Sequence, residues 1–146
     1  MDKRGYTLLE LLITVAIIGI LAAIAVTAYV GTTKKAARSE AYSNLESLRL
    51  LEEQFFADNG AYTVSLGGAG STAAIRDANV ALIQAAGALP GFRPGNSASF
   101  SYMIIQDQDI NAGAQTPCFH AIATGIDNTR VAGDTFDIDC NNDRTF

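Results

Sequence analysis

One acidic side chain, Glu10, lies near the start of a long apolar run and gives the clearest chemical signal in the sequence. The run continues from Leu11 to Thr33 without a charged residue. An ionised carboxylate at the centre of a bilayer costs roughly 2.5–3.5 kcal/mol even on lenient insertion scales. We therefore expect Glu10 to pair with another group, since a plain anchor or export signal has no need of an acid.

The apolar run is long enough to cross a membrane. At a rise of about 1.5 Å per residue, a helix from Leu11 to Thr33 covers the roughly 30 Å hydrocarbon core. Positive residues flank the run on both sides, with Lys3 and Arg4 before it and Lys34, Lys35 and Arg38 after it. Charge count alone therefore leaves the orientation open. Because the leader is short, we expect it inside the cell and the bulk of the chain outside.

A conventional secretory signal peptide offers another interpretation of the same segment. It has the same order of parts, with Ala23-Ile24-Ala25 as a possible cleavage site, and an exported enzyme or binding domain would follow it. However, the apolar core of such a signal is typically about 7–15 residues long and contains no acid.

The stretch from Arg4 to Leu12, RGYTLLELL, closely resembles the class III signal of type IV prepilins and pseudopilins. That family has a short basic leader ending in Gly, an aromatic first mature residue and Glu as the fifth mature residue. The resemblance implies that residues 1–5 are a leader, that a prepilin peptidase cuts between Gly5 and Tyr6, and that the new amine of Tyr6 is methylated. It further implies that Glu10 faces the N-terminal amine of a neighbouring subunit.

The resemblance predicts a structural protein, not an enzyme, and no cofactor. The chain would be a type IVa-like major pilin that enters the inner membrane as a single-pass precursor and polymerises with copies of itself into a surface filament. Its other partners would be the prepilin peptidase, the pilus assembly machinery and membrane lipid. A pseudopilin of a type II secretion system is the alternative within the family.

Two departures from the family pattern concern the helix. Tyr6 replaces the commoner Phe but keeps the ring, and Thr27 stands where many type IV pilins have a proline that bends the helix. Gly19 remains as a weak point, worth up to about 1 kcal/mol relative to Ala. The sequence leaves open whether this helix loosens on assembly.

The charge of the chain bears on its partners. The formal net charge is −5 and would become −6 if the leader were removed. Nucleic acids are bound by clustered Lys and Arg. We therefore expect no direct binding of nucleic acid.

The apolar segment is predicted to continue into an amphipathic helix, giving one helix from about Tyr6 to Asp58. Apolar residues recur at spacings of four and three, which indicates a buried helical stripe. The stripe consists of Ala37, Ala41, Leu45, Leu48, Leu51 and Phe55. The predicted solvated face contains Arg38, Glu40, Glu46, Arg49, Glu52 and Glu53. Asp58-Asn59-Gly60 is a helix stop signal.

The predicted fold class is α+β, with a long N-terminal helix packed on a small antiparallel sheet of about three to four strands. Residues 6–33 form the membrane or filament-core half of the helix, and residues 34–146 form a globular head. The head comprises the second half of the helix (34–58), a connecting loop (59–98), and the sheet (99–146). Within the loop, SLGGAGSTAA (65–74) is followed by a short helix (77–86) with Asp77 as its N-cap and by turns at Pro90-Gly91 and Pro94-Gly95. Strands are predicted over Ser99 to Gln106, Cys118 to Thr124 and Thr135 to Cys140.

Both cysteines, Cys118 and Cys140, fall in the predicted sheet. An even count in an exported domain favours a disulfide, although two reduced buried cysteines remain the alternative. In type IV pilins a bridge of this kind closes the D-region, which the resemblance assigns to residues 118–140. The spacing excludes a CxxC redox or zinc site.

The oxygen-bearing side chains near the C-terminus could bind Ca²⁺ or could form a solvated acidic strand face. They are Asp134, Asp137, Asp139, Asn141 and Asp143. The last four alternate, so a strand would place them on one face. The EF-hand pattern fails, because Asn142 replaces the required Gly and no terminal Glu follows. We therefore favour the solvated face and predict no metal site.

Two further groups of residues have simple structural interpretations. His120 is the sole histidine, and we interpret it as a partly buried strand residue and not as a catalytic partner of Cys118. The aromatic residues of the long helix could be read as an electron path but are more simply explained by helix packing. They are Tyr6, Tyr29, Tyr42, Phe55 and Phe56.

Overall fold

The structure is a computed structural model and describes residues 6–85, 87–95 and 99–146. It contains helices α1 (Leu8–Asn59) and α2 (Ala73–Ile83), followed by strands β1 (Phe100–Gln108), β2 (Ala114–Gly125) and β3 (Thr135–Asp139). The strands form one antiparallel sheet in the order β1-β2-β3. The predicted α+β class is therefore confirmed. The predicted leader, including Gly5, lies outside the described residues.

Helix α1 is uninterrupted over its 52 residues, including Gly19 and Thr27. It ends where the sequence predicts, because Gly60 adopts a φ of +75° and its N–H donates to the carbonyl of Phe56 at 2.7 Å. A glycine accepts this left-handed conformation without steric cost and so closes the helix. By length and composition α1 could cross a membrane.

The chain divides into two compact units, one up to Lys35 and one from Ala36 to Phe146. In the first unit the hydroxyls of the threonines inside α1 bond to carbonyls of the same helix. Thr14 donates to Leu11 at 2.8 Å and Thr27 donates to Ile24 at 2.9 Å. This local bonding removes the need for external polar partners, so these threonines are compatible with an apolar environment.

The second unit has its hydrophobic core between the predicted stripe of α1 and one face of the sheet. Ala41, Leu45 and Leu48 are fully buried, and the other stripe residues are partly buried against the same core. The sheet supplies cross-strand pairs such as Tyr102 with Ala123 and Ile104 with Ala121. Small alanines on β2 sit opposite large side chains on β1, so the two strands together fill the layer.

The predicted solvated face of α1 is wrong at Glu52, which is fully buried. Its carboxylate accepts from the backbone N–H of Thr63 at 3.0 Å and from the Thr63 hydroxyl. Burial raises the pKa of the Glu52 carboxyl, although the hydrogen bonds from Thr63 act in the opposite direction. The charge pattern alone did not reveal that the segment after Gly60 folds back over this side chain.

The short helix of the head begins earlier than predicted. The N-cap of α2 is Thr72, whose side chain accepts from the N–H of Ile75, and the predicted cap Asp77 lies inside the helix. The Gly/Ala/Ser-rich stretch before it, read as a plain connection, also contains Leu66, which forms two backbone hydrogen bonds with Ile104 of β1. The composition of this stretch predicted neither the cap at Thr72 nor the pairing of Leu66, because both residues stand among residues typical of a loop.

The strand limits differ from the predicted ones. β1 ends at Gln108 and β2 already begins at Ala114, whereas β3 ends at Asp139. Gln108 pairs with Ala114 across a register shift, so the hairpin continues past the point where the apolar alternation stops.

Candidate functional site

The carboxylate of Glu10 is held by the first residue before the helix, Thr7. Glu10 Oε2 accepts from the backbone N–H of Thr7 at 2.9 Å and from its hydroxyl at 3.0 Å. In return, Thr7 Oγ1 accepts from the N–H of Glu10 at 3.2 Å. These reciprocal bonds form a capping box, with Thr7 as N-cap of α1 and Glu10 as its third helical residue.

The capping box is a local contact that was not predicted from the sequence. The pattern Thr-Leu-Leu-Glu at positions 7–10, directly before an apolar run, is the signal that predicts it. Our expectation that Glu10 needs a partner therefore has an answer within the chain. The donors of Thr7 are neutral, however, so they stabilise the negative charge of Glu10 but do not neutralise it.

Glu10 stands among exposed apolar side chains. No part of the most apolar window of α1 is buried in the described structure. Tyr6 is 89% exposed and the large side chains near Glu10 are 49–83% exposed. They are Leu8, Leu9, Leu11, Leu12, Ile13, Val15, Ile17 and Ile18. A surface of this kind requires lipid or other apolar helices as its environment.

Cys118 and Cys140 form a disulfide with a sequence separation of 22 residues. Cys118 lies on β2, and Cys140 directly follows β3. The N–H of Cys140 also donates to the carbonyl of Phe119 at 3.1 Å. The bridge therefore reinforces the end of the β2–β3 pair.

The C-terminal acidic residues do not share one strand face, so that interpretation is wrong. β3 ends at Asp139, and Asn141 and Asp143 follow it in a turn. Asp139 is fully buried: its Oδ1 accepts from the N–H groups of Asn141 at 2.9 Å and Asp143 at 3.1 Å, and its Oδ2 accepts from Ile110 at 3.0 Å. Asp139 thus joins the β1–β2 turn to the segment after β3.

Asp134 has a different role from Asp139. It forms a two-pronged ion pair with Arg38 of α1, at 2.7 and 2.8 Å. This contact raises the pKa of the Arg38 guanidinium. Within the described residues, no group of three or more His, Cys, Asp or Glu side chains is placed to hold a metal ion.

His120 is buried on β2, with 5% of its surface exposed. Its Nδ1 lies 3.3 Å from Gln108 Oε1, and its Nε2 lies 3.9 Å from a carboxylate oxygen of Asp137. Cys118 is engaged in the disulfide, so the two residues form no nucleophilic pair. The aromatic residues of α1 in the head pack against other aromatic rings of the head. Tyr42 stacks on Phe146, and Phe56 lies against Tyr62.

Comparison with known proteins agrees with these features. A family model described as the prokaryotic N-terminal methylation motif matches residues 1–26. The type IV major pilin protein PilA of Myxococcus xanthus is 45% identical over 61 residues, which is 42% of this chain and 28% of that protein. The fimbrial protein EcpC of Eikenella corrodens is 34% identical over 87 residues, covering 58% of this chain and 57% of that protein.

The relatives also include a secretion component. The type II secretion system core protein G of Pectobacterium carotovorum is 37% identical over 60 residues, or 41% of this chain and 38% of that protein. The chain thus spans between 28% and 57% of the length of these three relatives. No solved structure matches the chain. The prokaryotic N-terminal methylation motif over residues 1–26 and the type IV major pilins among the relatives thus make the chain similar to type IV pilins.

Proposed function

We propose that this chain is a structural subunit of a type IV pilus filament. The single observation that carries the proposal is Glu10, a carboxylate at the start of an uninterrupted helix whose surrounding apolar side chains are exposed. In a bundle of identical helices these side chains would be buried against one another. Glu10 would meet the N-terminal amine of a neighbouring copy.

The proposal includes the processing steps that the family implies. A prepilin peptidase would cut between Gly5 and Tyr6 and methylate the amine of Tyr6. The precursor would span the inner membrane once through α1, and the assembled subunit would lie in a fibre outside the cell. The role is structural and not enzymatic, in agreement with the names of the relatives, which are pilins and secretion-system core proteins.

The assembly step follows from the cost of the buried charge. In the membrane, the Thr7 donors stabilise the carboxylate only partly, because they are neutral. A cationic amine from a neighbour would stabilise it further, since Coulomb attraction is strong where water is excluded. Apolar contact would therefore drive bundling, and the Glu10–amine pair would select the register.

Filament yield tests the assembly step. We expect Glu10→Ala to abolish or strongly reduce filaments while the precursor accumulates in the membrane. Glu40→Ala serves as the control, because it is the same substitution at an exposed position of the same helix in the head. A normal filament yield from Glu10→Ala would overturn the proposed mechanism.

Sequencing of the mature N-terminus tests the processing step. A methylated Tyr6 at position one supports the filament subunit, and a start near Ala25 supports an exported domain behind a conventional signal peptide.

A pseudopilin of a type II secretion system is the second candidate, and the similarity to core protein G of Pectobacterium favours it. Deleting the gene separates the two roles. Loss of surface fibres with normal protein export indicates a pilus subunit, and loss of protein export with intact fibres indicates a pseudopilin.

A further inference from the structure

A cleft on the head lies between one side of α2 and the segment that follows it. Its volume is about 380 Å³. The helix wall carries Arg76, Asp77, Val80, Ala81 and Gln84, whose spacing places them along one side of α2. The opposite wall is formed by Arg93, Pro94 and Gly95. The volume lies in the range of small-molecule sites.

One carbonyl group fixes the polar end of this cleft. The carbonyl oxygen of Phe92 accepts from Gln84 Nε2 at 2.8 Å and from Arg93 Nη1 at 2.8 Å. The Phe92 side chain is itself fully buried in the core, so this carbonyl has a fixed position. Two polar side chains from the two walls are thereby held side by side before any ligand arrives.

Arg93 has donors that its contact with Phe92 does not use. A guanidinium has five N–H groups arranged as a fork that matches a carboxylate. Within the described part of the chain, Phe92 is the hydrogen-bond partner of Arg93. By contrast, Arg38 and Arg144 are each paired with a carboxylate, at Asp134 and Glu46.

The charged side chains around the cleft favour a ligand with one negative group, placed at Arg93. On the helix wall, Arg76 Nε donates to Asp77 Oδ1 at 2.8 Å, so these two charges offset each other. Glu40 lies against Gly95, where an added Cβ would meet Glu40 Oε1 at 3.3 Å. Glu40 disfavours a second negative group at the Gly95 end of the cleft, whereas Arg93 attracts one negative group at its own end. A polyanion such as nucleic acid does not suit this arrangement.

The remaining lining determines the body of the ligand. Val80, Ala81 and Pro94 form an apolar surface beside Arg93. We propose that this cleft binds a small monocarboxylate with a short aliphatic body, the carboxylate on Arg93 and Gln84 and the body against these three residues. The site is independent of filament formation, because none of its residues takes part in the contact proposed for Glu10.

Titration of the full chain in detergent micelles with butyrate tests the proposal. Backbone amide shifts in the NMR spectrum should change saturably for residues of α2 and for residues 92–95. Butylamine has the same aliphatic body with the opposite charge, and inorganic phosphate is an anion without an apolar body. Both should produce weaker changes than butyrate at these positions.

Two matched variants localise the binding. We expect Arg93→Gln to weaken butyrate binding by about tenfold or more, because hydrogen bonds to charged groups are the stronger class. Arg130→Gln makes the same change in net charge at an exposed position outside the cleft and should bind butyrate as the wild type does. Unchanged shifts of core residues in both variants verify that the head remains folded.

The possible results divide clearly. A saturable response to butyrate that Arg93→Gln loses and Arg130→Gln keeps supports the site. Absence of saturation by butyrate overturns the proposal. Equal responses to butyrate and phosphate, or equal loss in both variants, also overturn it, because they indicate attraction of anions by charge alone.

Discussion

Glu10 has a local role and a proposed intermolecular role, and the local role rests on Thr7. Thr7→Val keeps the branched shape but removes the hydroxyl that bonds both the carboxylate and the N–H of Glu10. Loss of an N-cap costs typically about 1 kcal/mol, so we expect hydrogen exchange at the Glu10 amide to be about fivefold faster. The measurement is amide exchange by NMR on the full chain in micelles.

Thr7→Ser provides the control for this prediction, because it retains the hydroxyl and should retain protection. Equal exchange rates in Thr7→Val and the wild type would mean that the capping box does not stabilise the first turn. Neither variant should alter the unfolding of the head, whose core contains none of these residues.

Glu52 makes the stability of the head depend on pH. Burial raises its pKa, so the folded head binds a proton more tightly than the unfolded chain does. The free energy of unfolding therefore falls as pH rises from about 4.5 through the raised pKa, and it is constant above that pKa as far as Glu52 is concerned. The sign is opposite to that of a carboxylate stabilised by an ion pair.

Glu52→Gln should remove this part of the pH dependence. The amide stays neutral and can still bond Thr63, so we expect the variant to equal or exceed the wild type in stability at neutral pH. Denaturant unfolding of the head at several pH values measures the difference. Glu52→Ala should instead cost about 1–3 kcal/mol, because it leaves the buried N–H of Thr63 without an acceptor. A steeper pH dependence in Glu52→Gln would contradict the assignment.

At the scale of elements, the sequence predicted what strong periodicity encodes. The apolar run, the stripe through Leu45 and Leu48, and the stop at Gly60 define α1 because each is a repeated or local signal. The prediction of a solvated face from the charge pattern of α1 was wrong at Glu52, because its burial depends on Thr63, a residue beyond the helix. Long-range contacts of this kind leave no trace in local spacing.

The same distinction explains the head and the candidate site. The sheet was predicted from its apolar strands, but the placement of Asp139 depends on backbone N–H groups from two different turns. The capping box at Thr7 and Glu10 is local and could have been predicted. The cost of burying the Glu10 charge suggested a partner in another chain, whereas the nearest donors belong to Thr7, three residues earlier.

The disulfide between Cys118 and Cys140 should stabilise the head mainly through the unfolded chain. Closing a loop of this size is worth about 3 kcal/mol. We therefore expect the wild type to lose about that amount of unfolding free energy when a reductant is added. The double variant Cys118→Ala/Cys140→Ala should show no such response to the reductant, which separates the cross-link from the packing of the buried Cys118 side chain. An identical loss in the variant would assign the effect to the reductant.

At the scale of the whole molecule, the two units have different requirements. The unit up to Lys35 exposes its apolar side chains, and the unit from Ala36 to Phe146 contains the buried core and the disulfide. The first needs an environment of lipid or other helices, and the second supplies its own. Substitutions in the first unit should therefore affect assembly and leave the stability of the head unchanged.

A fragment of residues 36–146 tests this division directly. It retains the helical stripe from Ala41 to Phe55, the sheet and the disulfide, so we expect it to fold, to be monomeric and to form no filaments. Well-dispersed NMR signals, cooperative thermal unfolding and sedimentation as a single small species are the expected results. Truncation removes helix turns before Ala36, and the new end should fray by about one turn because its first N–H groups lose their partners. A fragment that is unfolded despite an intact disulfide would show that the core depends on the apolar half of α1, and the two units would then not be independent.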